Sequence, residues 1–184
     1  MDKLKGGIQM KMKMKMKRTE IFLELCGDFV PGEMFDWLME NGFFTAPASS
    51  RYHGNHQGGL FDHSLEVTNK LVSMTEEMQL QWSRPESPII VGMFHDLCKI
   101  DEYRFTEFCI EHSNRSLLKG HGDKSVMLLS LFMTLTEEEM LCIRFHMGAY
   151  QTDDWDAYGR AIEKYQNVLW THAADMFAAR VRGT

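Results

Sequence analysis

The sequence predicts an all-α protein, and three observations support that fold class. Apolar residues recur every three or four positions in several long segments, which is the spacing of an amphipathic helix. Glycine, proline and small polar residues gather in short breaks between those segments. A length of 184 residues, with 44% hydrophobic and 25% charged residues, is that of one ordinary globular domain. We therefore expect one helical domain, over residues 19–184.

The first 18 residues differ in composition and predict a flexible basic leader. They hold seven basic residues against one acidic residue, and residues 10–17 alternate Met with Lys. That alternation could form a strand, but it contains no aromatic or β-branched residue. An arm that binds a membrane surface or nucleic acid is the alternative interpretation. Because the whole chain has a net charge of -6, the remaining residues carry -12, which disfavours a broad nucleic-acid-binding face.

Helices and one loop are predicted for the first half of the domain. Pro31 suits the first turn of a helix, and Gly42 is a typical stop after it. A Gly-, Pro- and Ser-rich stretch marks a loop, and the helix after it carries His63 in its first turn. These elements are helices at 18–26 and 31–40, the loop at 45–59, and a long helix from Leu60 to about Gln81.

The second half predicts further helices and one small hairpin. Residues 89–100 form a mostly apolar run, and a helix that is apolar on most sides is central, so His95 and Asp96 would be deeply placed. Thr136 followed by three glutamates indicates a helix start, with Glu137–Glu139 facing solvent. The other elements are a β-hairpin near 103–118 and helices at 121–132, 136–147, 158–164 and 167–182.

Two acids in apolar segments indicate a metal site. Asp96 follows His95 in the run described above, and Asp175 lies in a second apolar helix. Burying an ionised carboxylate without a partner lowers the stability of the fold by roughly several kcal/mol. A divalent cation bound to the carboxylate removes that cost. With His63 these residues make a four-ligand set, which leaves open positions for water and phosphate oxygens in an octahedral site.

The same residues carry a resemblance to a known family. The order His, His-Asp, Asp, in the strings GGLFDHSLEV (58–67), FHDLCKI (94–100) and HAAD (172–175), resembles the HD superfamily of metal-dependent phosphohydrolases. The likeness spans about residues 50–182. The Gly-Gly-Leu before His63 is similar to the HD domain of a bacterial 3′-to-5′ exoribonuclease family.

The resemblance implies a helical bundle with a catalytic divalent ion, Mn, Mg, Fe, Ni or Co. It implies that Asp96 and Lys99 act in catalysis, Lys99 by contacting a phosphate, and that a metal-activated water attacks phosphorus. One metal is expected, and His121 and His146 match the positions of second-metal ligands, with Asp96 bridging. The metal ligands implied are His63, His95, Asp96 and Asp175, and the catalytic residues are Asp96, Lys99, His121 and His146. From their position in the loop before His63, Arg51, His53 and His56 are expected either to bind the substrate phosphate or to protonate the leaving oxygen, and Lys99 and Lys124 are further candidates for substrate binding.

The function expected is hydrolysis of a phosphate ester, of a nucleotide or a related small metabolite. A non-catalytic nucleotide-binding module and an RNA 3′-to-5′ exonuclease-like phosphodiesterase are the alternatives. Four cysteines without CxxC spacing, and no apolar signal segment, favour the cytoplasm, and no apolar run is long enough for a membrane helix. Apolar surface from aromatic residues would favour a homo-oligomer; those residues are Phe43, Phe44, Trp155 and Tyr158.

Overall fold

The computed structural model describes residues 16–52, 54–105, 109–113, 117–150 and 154–183, and it confirms the all-α prediction. Eight α-helices make up most of this part of the chain. They are α1 (16–26), α2 (Gly32–Glu40), α3 (Gly59–Met78), α4 (Ser87–Phe94), α5 (His121–Leu129), α6 (Glu137–Arg144), α7 (Trp155–Lys164) and α8 (Asn167–Phe177).

Short elements complete the fold. Two antiparallel strands, β1 (Tyr103–Phe105) and β2 (Ile110–His112), pair with Tyr103 opposite His112, within the range expected for a hairpin. Short 3-10 helices occur at Leu97–Asp101 and Gly148–Tyr150, and a π-helical turn at Ala178–Arg182 extends α8. Among the described residues, none of the helices combines the length and apolar composition needed to cross a bilayer.

The core forms where α3 packs against α4 and α8, with α6 against α4 and α8. As the apolar run predicts, α4 is central, and its residues from Ile90 to Phe94 are buried. Gly92 lets α4 approach α3 closely, because a Cβ there would lie 2.6 Å from the Cα of Thr68. The helix with the predicted ligand His63 therefore packs closely against α4, which His95 and Asp96 follow.

The helix α4 ends earlier than the apolar run predicts. It stops at Phe94 rather than continuing to Ile100, and Asp96 has a non-helical conformation, with φ of -102° and ψ of 17°. The chain then turns into the 3-10 helix, which begins at Leu97. Hydrophobicity alone cannot place this end, because the residues on both sides of it are buried. Asp96 therefore lies just beyond the end of α4, and its carboxylate contacts residues of two other segments, Lys99 and His121.

The helix α3 is also shorter than predicted. It ends at Met78, not at about Gln81, because Gln79 adopts a left-handed conformation, with φ of 54°. That conformation ends a helix in the way glycine commonly does.

The predicted leader extends too far at its C-terminal side. Residues 16–18 belong to α1, and Arg18 is buried, with its guanidinium bonded to Asp62 on α3. A basic residue in a leader would be expected in solvent, but this ion pair holds it in the domain. Residues 1–15 lie outside the described residues.

The glutamates that open α6 were expected in solvent, and two of the three are buried. Thr136 and Glu139 form a reciprocal capping box, which confirms the predicted helix start. Glu139 also accepts hydrogen bonds from the Arg84 guanidinium and the Ser87 hydroxyl, at 2.8 to 2.9 Å. Glu138 accepts from Asn167, and only Glu137 faces solvent. Partners from distant segments explain the burial, and no local pattern encodes them.

The aromatic surface expected to favour a homo-oligomer is largely absent. Phe43 and Phe44 are fully buried, in an aromatic cluster with Phe22, and Tyr158 is buried as well. Trp155 remains 59% exposed. Because Phe43, Phe44 and Tyr158 are buried in the core, they do not form an apolar surface that would favour an oligomer.

Candidate metal centre

Three helices bring the four predicted ligands together. His63 comes from the first turns of α3, His95 and Asp96 from the end of α4, and Asp175 from α8. The Nε2 atom of His63 lies 3.3 Å from Nε2 of His95 and 3.1 Å from Oδ1 of Asp175. Asp96 Oδ2 lies 3.6 Å from Nε2 of His63 and 3.5 Å from Nε2 of His95. All four side chains are buried.

These separations fit a shared cation. Nitrogen and oxygen ligands lie about 2.0–2.2 Å from zinc or magnesium, so two ligands of one ion are spaced by roughly 3 Å or slightly more. Two imidazoles and two carboxylates at these separations form a donor set for a divalent ion. The residues present therefore fit a metal, and His63, His95 and Asp175 form one group with the spacing of three ligands.

A second group of imidazoles faces the other oxygen of Asp96. Oδ1 lies 2.8 Å from Nε2 of His121 on α5 and 3.4 Å from Nε2 of His146, just after α6. His95, Asp96 and His146 also meet ligand spacing, as do Asp96, Cys98 and His121. The carboxylate of Asp96 thus lies between two sets of ring nitrogens, the arrangement that a bridging ligand requires.

Backbone carbonyls fix the orientation of two of these rings. His95 Nδ1 donates to the carbonyl of Gly92 at 2.8 Å, and His146 Nδ1 donates to that of Ile143 at 2.7 Å. Because a carbonyl only accepts, the hydrogen sits on Nδ1 and the lone pair of Nε2 points inward, as in metal-bound histidines. Nε2 of His146 is buried and has no hydrogen-bond partner among the described residues. A cation would satisfy that nitrogen.

Burial and neighbouring charges shift the pKa values of these groups. Burial lowers the pKa of His95 to about 3, so its ring is neutral, as a metal ligand must be. Burial also acts to raise the pKa of Asp96 and Asp175, but Lys99 and the imidazoles outweigh it and keep both values below the usual range. For His146, burial lowers the pKa, yet the nearby carboxylates raise it overall. The carboxylates are ionised and ready to bind a cation.

Lys99 reaches the centre from the 3-10 helix. Its ammonium is buried and donates to Asp96 Oδ2 at 2.6 Å. Burial lowers the pKa of Lys99, but the charge of Asp96 more than compensates and raises it. This contact places Lys99 beside the predicted ligands, as a role in binding a phosphate there would require. In the structure, however, the ammonium neutralises a ligand, so a cation and Lys99 would compete for the same oxygen.

The predicted substrate-binding residues do not gather at one place as the predicted metal ligands do. Lys124 is almost completely buried and bonded to Asp101, so its contacts do not join it to the ligands. Arg51 is exposed in the loop before α3. His56, in the same loop, bonds to Asp62 and has 51% of its side chain exposed. His53 lies outside the described residues.

Several contacts of the centre carry no signal in the sequence. His172 donates through Nδ1 to the carbonyl of His146 at 2.7 Å. Cys98 is fully buried, and its sulfur lies 3.4 Å from Nδ1 of His121. These pairs join segments that are distant in the chain, and only the packing of the helices brings them into contact.

Comparisons with protein families, with curated proteins and with solved structures return no match for this chain.

Proposed function

We propose that this chain is a metal-dependent phosphohydrolase of the HD type, acting on the phosphate ester of a nucleotide or a related small metabolite. The observation that carries the proposal is that Nε2 of His63 and Nε2 of His95 lie 3.3 Å apart, and each lies 3.1 to 3.8 Å from a carboxylate oxygen of both Asp96 and Asp175. Four buried residues of this kind, in the order His, His-Asp, Asp, support membership of the HD superfamily.

The residues of the centre have distinct roles in this proposal. A bound divalent ion would lower the pKa of a water and withdraw charge from the phosphoryl group. His63, His95, Asp96 and Asp175 would hold that ion, and Lys99, once released from Asp96, would bind a phosphate oxygen. Burial of the ligands excludes bulk water, which strengthens each of these interactions.

The donor atoms favour particular metals. Imidazole nitrogens and carboxylate oxygens suit Mn, Fe, Co and Ni, and Mg accepts the carboxylates. One ion in the group of His63 and Asp175 is the simplest occupancy, and the second group around Asp96 Oδ1 could hold another. We also propose a cytoplasmic location, because the four cysteines show no CxxC spacing and three of them are buried.

The experiment is metal analysis combined with an activity panel. Wild-type protein, His95→Ala and Asp175→Asn would be loaded with each candidate ion, and phosphate release from a set of nucleotides would be measured. We expect the wild type to bind at least one ion per chain, and both variants to lose the ion and the activity while keeping their helical circular dichroism. His112→Ala is the matched control, since that histidine is exposed on β2.

The outcomes separate the proposal from its alternatives. Equal metal content in wild type and variants would reject the ligand assignment. Metal-dependent nucleotide binding without turnover would favour the non-catalytic module, and release of single nucleotides from RNA would favour the exonuclease. The acidic body of the chain argues against a track for RNA leading to the centre.

A further inference from the structure

The sulfur of Cys98 lies among the donor atoms that face Oδ1 of Asp96. It is 3.9 Å from Nε2 of His121, and that nitrogen is 2.8 Å from Asp96 Oδ1. Asp96, Cys98 and His121 each offer one donor atom within 4.8 Å of the others. Ligands of one tetrahedral zinc ion, at about 2.0–2.3 Å from the metal, are spaced by roughly 3.4 to 3.6 Å. The two separations fall on either side of that value, so a small shift of the His121 ring would bring both to it.

The unpartnered nitrogen of His146 is an independent sign of a ligand at the same oxygen. Nε2 of this fully buried ring has no hydrogen-bond partner among the described residues, and it lies 3.4 Å from Asp96 Oδ1. The ring centroids of His121 and His146 are 5.2 Å apart. The pair His63 and His95 has the same centroid separation, with 3.3 Å between its Nε2 atoms. A cation between the rings of His121 and His146 would therefore satisfy the buried nitrogen.

The helix α5 holds Cys98 and His121 beside each other. The backbone N–H of Cys98 donates to the hydroxyl of Ser125 at 3.0 Å, and Ser125 lies one helical turn after His121. Cys98 and Ser125 are both fully buried. The hydrogen bond fixes the backbone of Cys98 relative to the helix that carries the ring. A position held in this way by a neighbouring polar group is typical of a metal ligand.

The Oδ1 side of Asp96 can accept a cation while Lys99 stays in place. The ammonium of Lys99 donates to Oδ2, whereas the close partners of Oδ1 are the ring nitrogens of His121 and His146. An ion bound at Oδ1 therefore does not compete with the ammonium for one oxygen, as an ion in the group of His63 would.

We propose that Cys98 is a thiolate ligand of a second divalent ion, and that this ion is zinc. Oδ1 of Asp96 and the Nε2 atoms of His121 and His146 complete the set. The thiol proton passes to solvent as the bond between sulfur and zinc forms. Thiolate and imidazole ligands favour zinc, whereas Mg and Mn prefer oxygen. Four protein ligands would close the tetrahedral shell, so this ion would stabilise the fold rather than carry a reacting water. The inference rests on the metal centre of the proposed function, but not on hydrolysis.

Cobalt substitution tests the sulfur ligand without a substrate. Co²⁺ bound by a thiolate absorbs in the near ultraviolet through charge transfer from sulfur, and Co²⁺ bound only by nitrogen and oxygen lacks this band. We expect the band in cobalt-loaded wild type, its bleaching by added zinc, and its loss in Cys98→Ser. Cys98→Ser should also bind zinc about 100-fold more weakly, because loss of a partner outside the ligand set already costs about 10- to 100-fold.

Cys109→Ser is the matched control, since that cysteine is exposed just before β2, and it should keep both the band and the zinc affinity. A band that persists in Cys98→Ser would overturn the assignment. So would its absence from wild type at full cobalt occupancy, a result that does not depend on whether the variant folds. Hydrolysis of phosphate esters by a protein without the band would reject the zinc site alone. The band in a protein that hydrolyses no ester would reject the proposed function and retain the zinc site.

Discussion

Both oxygens of Asp96 have close partners, and the ammonium of Lys99 is the closest of them. The ammonium lies 2.6 Å from Oδ2, in a region where both side chains are nearly inaccessible. Removing one partner of a buried ion pair leaves an uncompensated charge, which costs more than the pair itself contributes. A cation bound between His63 and His95 would neutralise the same oxygen. A bound metal ion and the ammonium of Lys99 would therefore each neutralise the negative charge of Asp96.

Lys99→Met tests this overlap. In metal-free protein we expect the free energy of unfolding to fall by about 3–5 kcal/mol, because Asp96 loses its nearest cation. Added Mn should restore more stability to the variant than to wild type, since the ion no longer competes with the ammonium. Urea denaturation with and without Mn measures both effects. Lys119→Met, at an exposed position, is the control, and a similar Mn response in all three proteins would contradict the argument.

Glu139 makes stability depend on pH. Burial raises the pKa of this carboxyl, but hydrogen bonds from Arg84, Thr136 and Ser87 outweigh it and hold the value below the usual range. A lowered pKa in the folded state stabilises the protein above the ordinary glutamate pKa of about 4.3, and the contribution disappears as pH falls through the folded value.

We expect Glu139→Gln to lower the free energy of unfolding by about 1.5–3 kcal/mol at neutral pH. The difference from wild type should shrink as the pH falls below about 4, because wild-type Glu139 is then increasingly protonated. Chemical denaturation across this pH range measures the change, with Glu20→Gln on the exposed face of α1 as the control. A difference independent of pH would mean that the ion pair with Arg84 is not its origin.

At the scale of elements, the approach of α3 to α4 depends on one glycine. A Cβ on Gly92 would meet the backbone of Thr68 at 2.6 Å, and backbone cannot move aside as a flexible side chain can. Overpacking of this kind costs about 1–3 kcal/mol, so Gly92→Ala should lower the thermal midpoint. Gly159 on α7 has nothing within 4 Å of its Cβ position, and Gly159→Ala should stabilise by about 1 kcal/mol through helix propensity. Similar effects of both changes would refute the packing argument.

The element pattern shows which features a sequence can predict. Apolar periodicity located the helices that became α3 and α8, because a buried helical face imposes its period on the sequence. It placed the end of α4 wrongly, since buried residues continue past Phe94. It also missed the burial of Glu138 and Glu139, whose partners come from other segments. Local sequence patterns predict the buried face of a helix and its capping residues. Whether a polar residue is buried depends on its partners in distant segments, which these patterns do not contain.

At the scale of the whole molecule, the chemistry of the residues predicted which side chains lie close together better than periodicity predicted their surroundings. His63, His95, Asp96 and Asp175 stand out because acids and imidazoles are rare in apolar helices, and in the fold both imidazoles lie within 4 Å of both carboxylates. The pair Arg18 and Asp62 gave no such signal, because a basic residue at the end of a charged leader and an acid in a first helical turn are each ordinary. Their contact depends on how α1 packs on α3.

Because the proposed ligands come from α3, α8 and the residues that directly follow α4, a bound ion would link three helices of the core. The unfolded chain cannot assemble this group, so an ion that binds only the folded state shifts the unfolding equilibrium. At a free concentration about 100 times the dissociation constant, the added stability is about 2.7 kcal/mol.

We therefore expect the midpoint of thermal unfolding to rise with Mn concentration in wild type and to return after chelation. Asp175→Asn removes one ligand from α8 and should abolish most of the rise. Asp156→Asn, at an exposed position on α7, should respond as wild type does. Because this measurement needs no substrate, a concentration-dependent rise that Asp175→Asn leaves unchanged would show that the ion binds elsewhere, and the three helices would then be held together by packing alone.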